Sequence, residues 1–249
     1  MLTNERQSMI LRRLQKDGSV SAQALVQQLQ ASASTIRRDL EALEQKNLLK
    51  RVHGGAVRTS TGIILTEDFV EIRRKRNWEE KCRIGKKAAS LIQNDDFVYV
   101  DAGTTTEAML EFIEPGTAVF VTNAVSHARS LAAKGFQVSI VGGTFKTVTE
   151  AIVGPETLNS LAAYNFTKGF FGTNGIDEAG RLTTPDSMEA ATKKAAMEAC
   201  RIRYILADPS KFLCRSRITF GSCRDCTIIT CRSSEADPPV PESADAVIV

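Results

Sequence analysis

The stretch SASTIRRDLEAL, Ser32–Leu43, places three hydroxyl residues at its start, sets Arg37 beside Arg38 and then turns amphipathic. Ile36, Leu40 and Leu43 recur at i, i+4 and i+7, which is one face of an α-helix. Ser32 sits at the N-cap, where its side-chain oxygen accepts a first-turn amide. Ser34, Thr35, Arg37 and Arg38 then crowd the first two turns. A helix start offers unpaired N–H groups and the positive end of the dipole, both suited to phosphate. Each guanidinium forks onto a phosphate or onto guanine O6 and N7. The competing account makes Ser32 only a cap and pairs the arginines with Asp39, Glu41 or Glu44 on a solvated face.

The surroundings decide for nucleic acid. Residues 4–16 read as a helix with Ile10, Leu11 and Leu14 on one face, broken at Gly18. Ser21 caps a second short helix whose Leu25 and Leu29 point inward, with Val20 as a hydrophobic staple. LLKRVHGGAVR, residues 48–58, reads as two extended pieces about a Gly-Gly turn, a β-hairpin. Three helices and a hairpin outline a winged helix-turn-helix over residues 1–58. In such a unit the N-terminal residues of the last helix read the major groove of double-stranded DNA. Arg51 and His53 on the hairpin lie in reach of a backbone phosphate. Charge agrees: residues 1–58 carry ten Lys and Arg against five Asp and Glu, whereas residues 59–249 are slightly acidic.

STIRRDLEALE followed by RVHGGA resembles the head of the DeoR-type bacterial repressors, and the likeness extends over nearly the whole chain. It implies that Thr35, Arg37 and Arg38 lie in the recognition helix and that Arg51–Ala56 forms the wing.

Residues 59–77 show no core periodicity and read as a linker. From Trp78 to Val249 apolar strands alternate with helices, beginning with a helix that carries Ile84, Ala88, Leu91 and Ile92. FVYVD, TAVFVTN, FQVSIVGG, KGFFGTN, YILAD and TIITC are the strands, with a last one at Ala246–Val249. This pattern predicts a Rossmann-like α/β domain with a mostly parallel sheet covered on both faces. Ligands of such sheets bind at the carboxyl ends of the strands.

DAGTTTEAM puts Asp101, Gly103, Thr104, Thr105 and Thr106 directly after a strand and before a helix. Glycine lets backbone approach an anion, and the threonines supply hydroxyl and amide donors, a combination suited to a phosphate monoester. Neither a P-loop nor a dinucleotide fingerprint is present. Thr122 and Asn123, Gly142 and Gly143, and the GTNGID run with Asn174, Gly175 and Asp177 end other strands and point to one shared pocket. Glu189 and Lys193 stand four apart on one helix face, a spacing equally suited to a surface ion pair, and ADPSKF adds Asp208 and Lys211.

By resemblance, DAGTT, TN, GG, E-x-x-x-K and D-x-S-K look like the effector domain of the same repressors, similar in fold to ribose-5-phosphate isomerase. The first would cradle phosphate, the acidic and amide groups would hydrogen-bond sugar hydroxyls, and Lys193 or Lys211 would neutralise charge. Cys231 stands where an acid is expected after the IIT strand, and Asn94 replaces a turn glycine.

The function expected is that of a DNA-binding regulator, a repressor of a carbohydrate-catabolism operon relieved by a phosphorylated sugar. The alternative is an isomerase-like enzyme with a DNA-binding head, for which Asp101, Asp177, Glu189 and Asp208 are the candidate bases. The sensing reading needs no catalytic residue and no cofactor. Cys214, Cys223, Cys226 and Cys231 include one C-x-x-C pair of the kind that binds zinc. One such pair instead of two favours free thiols, and no metal is expected. His127 has no partner evident in the sequence. Six cysteines in a chain this size, with no secretory signal and no long apolar run, suggest the reducing cytoplasm and no membrane partner. Half-sites about one helical turn apart imply two recognition helices, hence a homo-oligomer, dimer or tetramer.

Overall fold

The computed structural model describes residues 3–17, 19–45, 49–57, 63–66, 68–232 and 237–249, and the expected break at Gly18 and the hairpin ends Leu48 and Arg58 lie outside them. The chain divides into two compact units, Met1–Ile64 and Leu65–Val249.

In the first unit, helices α1 (Thr3–Asp17), α2 (Ala22–Leu29) and α3 (Ala33–Gln45) surround a core of Ile10, Leu14, Leu25, Leu29, Ile36, Leu40 and Leu43. The helical repeat brought these residues to one side of each helix, and burying a Leu or Ile fully contributes about 1.5–3 kcal/mol. Ser21 caps α2 by accepting the Ala24 amide at 3.0 Å, and the helix ends at Gln30 in the left-handed conformation. Strands β2 (Lys50–Val52) and β3 (Gly55–Val57) form the hairpin expected from the sequence. A third strand, β1 (Ser19–Ser21), pairs antiparallel with β3. Three residues are too few to show an alternating pattern, so β1 was not legible. The two glycines of the hairpin have separate jobs. Gly54 takes φ +83°, and a Cβ on Gly55 would lie 2.0 Å from the Val20 carbonyl oxygen of β1. A short strand β4 (Ile63–Ile64) closes this unit.

The second unit begins earlier than the sequence suggested. Within the stretch read as linker, residues 70–75 form a helix, α4 (Val70–Lys75), with Val70 buried. Its Val70 amide bonds the Val148 carbonyl at 3.0 Å, and Arg74 pairs with Glu107 at 2.8 Å. Six residues cannot display a helical repeat, and four of the six are charged, which hid the helix.

Then follow α5 (Trp78–Ala89), β5 (Phe97–Val100), α6 (Thr104–Glu111), β6 (Val119–Thr122), α7 (Val125–Ala133) and β7 (Gln137–Ile140). Next come the hairpin β8 (Thr144–Lys146) and β9 (Ala151–Val153), α8 (Pro155–Ala162), β10 (Phe166–Gly172), β11 (Gly175–Ile176), β12 (Arg181–Thr184) and α9 (Ser187–Glu198). The last are β13 (Cys200–Leu206), β14 (Arg215–Ser216), β15 (Ile218–Ser222), β16 (Thr227–Thr230) and β17 (Asp245–Ile248).

Seven strands make one parallel sheet in the order β17-β16-β13-β10-β5-β6-β7. Alternation along each strand feeds two cores. Val98, Val100, Phe120 and Phe170 pack with Ile84 of α5, Met109 of α6 and Leu131 of α7. Tyr99, Val121 and Phe171 pack on the other face with Leu161 of α8 and Ala196 of α9. β11, β12 and β15 form a separate antiparallel sheet that the sequence reading did not contain. Among the described residues no helix is long and apolar enough to cross a membrane.

The order reverses at β5, from which β10 lies on one side and β6 on the other, so ligands are expected beyond the carboxyl end of β5. Two helices frame that place, α6 directly after β5 and α5 against it. They meet at Gly85, where a Cβ would lie 2.7 Å from the Met109 backbone nitrogen. Gly85→Ala should therefore force α5 from α6 and destabilise the chain by about 1–3 kcal/mol despite the better helix propensity of alanine. Urea denaturation of the variant measures this, and an unchanged or raised midpoint would show that the contact yields freely.

Candidate functional site

Each unit presents a constellation of its own. In the first, Ser32 caps α3: its Oγ accepts the Thr35 amide at 3.2 Å and shares hydrogen bonds with the hydroxyls of Ser34 and Thr35. The acids that might have consumed the arginines are engaged elsewhere. Asp39 is buried and takes Arg6 of α1 at 2.5 Å and Gln7 at 3.2 Å. Glu41 and Glu44 take Arg51 at 3.2 and 3.9 Å. Arg37 and Arg38 stay exposed and, among the described residues, enter no salt bridge. The Asp39–Arg6 pair ties α3 to α1, so one face of the helix is fixed while the other offers two guanidinium groups.

The wing needs correcting. Arg51, expected to reach a phosphate, turns back onto α3, and its amide also donates to Glu44 Oε1 at 2.8 Å. Two acids on the adjoining helix outcompete solvent for it. His53 remains exposed at the hairpin turn.

In the second unit a cleft opens at the carboxyl ends of β5 and β10. Gly103, Thr104 and Thr105 form one wall, at the start of α6, where first-turn amides lack partners within the helix. Gly172 ends β10 and Thr173 and Asn174 follow it, while Glu189 and Lys193 come from α9 and Asp208 and Lys211 from the turn after β13. Arg73, Arg76 and Lys81 complete it. The lining thus holds five cationic side chains against two carboxylates.

Lys81, Glu189, Lys193 and Asp208 are buried, which makes those charges dependent on partners. Asp101, at the foot of the cleft, pairs with Lys193 and accepts the Gly172 amide at 3.0 Å. Burial pushes its carboxyl upward, against the opposing pull of Lys193. Glu189 does not pair with Lys193 four residues on. It accepts Lys146 Nζ and the Thr149 hydroxyl, each at 2.7 Å, from the β8–β9 segment. Asp208 accepts Asn77 Nδ2 at 2.8 Å and the Ser210 hydroxyl at 2.5 Å. Burial opposes its ionisation, but the Lys211 charge, those two hydrogen bonds and Lys81 hold it below the ordinary carboxylate range.

Several residues expected in the pocket shape it from behind. Thr106 is fully buried, donating to the Asp101 and Gly103 carbonyls at 2.6 and 2.8 Å as a local brace. Thr122 accepts the Ala124 amide, and Asn123 accepts the Ala102 amide at 2.9 Å while donating to the Ile152 carbonyl. Asn123 therefore braces the loop between β5 and α6 without lining the cleft. The Gly142 carbonyl receives the Thr157 hydroxyl, and a Cβ on Gly143 would lie 2.4 Å from Thr157 Oγ1. Gly175 pairs with Thr183 in the separate sheet, where a Cβ would meet the Cys214 carbonyl oxygen at 2.5 Å. Asp177 spends its carboxylate on the Ala179 and Arg181 amides and on Arg181 Nε at 2.8 Å. Apart from Thr106 in α6, these residues lie at or next to strand ends, which is why they looked alike in sequence.

Arg73, Arg76 and Lys81 were missed. The run RRKRNWEEK was the available signal, a cluster of cations just before the first core helix. Burial pushes the thiols of Cys223 and Cys226 up to about 11 and about 12, and Cys226 donates to the Ser222 carbonyl. Among the described residues no three His, Cys, Asp or Glu side chains gather to hold a metal.

Against this geometry stand the likenesses to known proteins. Residues 6–61 match the DeoR-like helix-turn-helix domain and residues 76–231 the DeoR C terminal sensor domain. The chain is 42% identical to the uncharacterized HTH-type transcriptional regulator FruR of Bacillus subtilis, over 94% of this chain and 93% of that one. It is 32% identical to the glycerol-3-phosphate regulon repressor of Escherichia coli K12, over 96% and 94%. With the lactose phosphotransferase system repressor of Streptococcus mutans it shares 33% identity over 85% and 84%. Ribose 5-phosphate isomerase A of Methanocaldococcus jannaschii superposes at a TM-score of 0.42, 14% identity and 55% of each chain, too loosely to support any inference.

His127, on α7, carries a further testable consequence. It is buried, and its Nδ1 has no hydrogen-bond partner among the described residues. Burial, then the charge of Arg74, pulls it down to about 4, against a hydrogen bond that the ring donates to the Gly103 backbone carbonyl. A histidine depressed on folding contributes stability in full above its unfolded value of about 6.5 and loses it as pH falls toward 4. The wild type should lose about 3 kcal/mol more than His127→Gln between pH 7 and pH 4, by parallel urea titrations. Equal losses would mean the ring is not held neutral.

Proposed function

The chain belongs to the DeoR family of transcriptional regulators, and from that premise we propose that it represses a carbohydrate-catabolism operon and is relieved by a phosphorylated sugar. It is a DNA-binding regulator. The observation that supports the effector class is the cleft itself, with five cations against two carboxylates around the first turn of α6. A phosphate dianion would offer acceptor oxygens to the first-turn amides of α6 and negative charge to a lining in which cations outnumber carboxylates. The sugar's hydroxyls would meet Asn174, Glu189 and Asp208. Two of the relatives are named as repressors of the glycerol-3-phosphate regulon and of the lactose phosphotransferase system, which agrees with this class.

We read the cleft as a sensor and not an active site. Each carboxylate considered as a base is already committed: Asp101 to Lys193, Asp177 to Arg181, Glu189 to Lys146 and Thr149, Asp208 to Asn77 and Ser210. In the head, Ser32, Ser34, Thr35, Arg37 and Arg38 would contact the operator, with His53 on the wing. Arg51 would join them only by exchanging Glu41 and Glu44 for a phosphate, a low barrier for an exposed pair worth about 0–1 kcal/mol. Two such heads in a homo-oligomer would match two half-sites.

The division of labour is tested by two substitutions. Arg37→Ala should weaken binding to the chain's own upstream control region about 5- to 150-fold, the value of a lost bidentate base contact, and leave the effector response intact. Thr105→Ala should spare DNA binding and blunt release by sugar phosphate. Fluorescence anisotropy at fixed low salt measures both. DNA affinity unchanged by the first, or an unaltered response in the second, removes that residue from its assigned role.

A further inference from the structure

Helix α4 is too short to hold itself in place. Helices under about 12–15 residues are marginal alone in water, and α4 has six residues, VEIRRK. Of these only Val70 is buried, while Ile72 is 47% exposed and Phe69, just ahead of the helix, is 56% exposed. Apolar packing thus contributes little, and polar ties fix the helix. The Val70 amide donates to the Val148 carbonyl at 3.0 Å, and Lys81 Nζ donates to the Arg73 and Arg76 carbonyls. Between these two ends, Arg74 Nε donates to Glu107 Oε2 at 2.8 Å, and its Nη2 lies 3.9 Å from Glu150 Oε2.

Arg74 does not line the cleft, yet each element it touches serves the cleft. α4 and the residue after it bring Arg73 and Arg76 to the lining. Glu107 is in α6, and its amide donates to the Gly103 carbonyl at 2.8 Å, one turn on from the wall of Gly103, Thr104 and Thr105. Glu150 follows Thr149, and Thr149 with Lys146 holds Glu189 of the cleft. One guanidinium therefore spans the helix that carries the arginines, the helix that starts at the anion wall and the β8–β9 turn.

We propose that Arg74 is a positioning residue for anion binding: by docking α4 on Glu107 it sets Arg73 and Arg76 in the same cleft as the start of α6, and an anion held there keeps α4 docked. This rests on the reading of the cleft as an anion site. Only the docked helix presents both arginines, so the apparent affinity for an anion falls with the docked fraction. The converse follows by linkage, since a ligand that prefers the docked form shifts the helix toward it. Arg74 and Glu107 keep 35% and 25% of their side chains exposed, so the pair adds little to global stability. What it governs is where α4 rests.

Sulfate is the probe, with the full chain at pH 7.5 and constant ionic strength. Calorimetry gives its affinity, urea titration the stability, and limited trypsin digestion read by mass spectrometry the docking of α4. The run Arg73–Arg76 offers trypsin four consecutive sites, and cutting there requires the helix to open locally. In the wild type, saturating sulfate should slow the appearance of chains that begin at residues 74–77 about fivefold or more relative to other cuts. Arg74→Gln should bind sulfate about fivefold more weakly at an unchanged urea midpoint. Glu107→Gln separates positioning from simple charge. Removing an acid near an anion site strengthens binding by Coulomb's law alone. Loss of the tie to Arg74 should instead weaken sulfate binding about threefold and speed the cuts in α4 without sulfate. The double variant should bind no more weakly than Arg74→Gln. Sulfate binding in Glu107→Gln as tight as in the wild type, or tighter, overturns the proposal, as does bound sulfate that leaves the α4 cuts unslowed. If a variant fails to fold, the wild-type cutting rates decide alone. Absence of sulfate binding by the wild type overturns the anion reading itself, a result distinct from the other two.

Discussion

Everything in the sensor unit depends on how buried positive charge is satisfied. An ammonium in a low-dielectric site costs several kcal/mol unless oxygen surrounds it. The chain meets this in two different ways. Lys193 receives a full carboxylate from Asp101 at the end of β5, and the same carboxylate accepts the amide of Gly172, the last residue of β10. The pair thereby clamps together two adjacent strands and a helix at the point where the sheet order reverses. Lys81 donates to the backbone carbonyls of Arg73 and Arg76, which fixes its position. The first arrangement clamps the sheet, and the second anchors the turn between α4 and α5.

The head solves the opposite problem. There, cations must be kept free of internal acids and yet be held in place. Asp39 lies next to Arg38 in sequence, but helix geometry turns it to the inner side, where Arg6 claims it. Glu41 and Glu44 are drawn off by Arg51 of the wing. Three acids within one helix are thus engaged without touching Arg37 or Arg38.

How much of this could be read from residues alone depended on periodicity and on the reach of each side chain. The three head helices, the hairpin and the main parallel strands announced themselves through repeats of 3.6 and 2 residues. The loop between β5 and α6 that we propose holds phosphate stood out because glycine and hydroxyl residues lie consecutively there. Helix α4, strand β1 and the small β11–β12–β15 sheet were too short to show a repeat. Partner choice was not legible at all. Glu189 and Lys193 read as an ion pair with each other, yet each reaches a residue more than 40 positions away. Gly143, Gly175 and Asp177 looked like ligand contacts because strand ends and binding loops draw on the same residues. Only the Cβ clashes and local hydrogen bonds separate the two uses.

A regulator of this kind must let each of its two ligands alter its affinity for the other. That reciprocity is a thermodynamic requirement and does not depend on the path between the units. The direct test is the affinity of the phosphorylated sugar, once selected by thermal-shift screening, for the free chain and for the chain saturated with operator duplex at the same salt. The account predicts weaker sugar binding on DNA, by about 5- to 150-fold, and by the same factor with which the sugar weakens DNA binding. Equal affinity in the two states would contradict it.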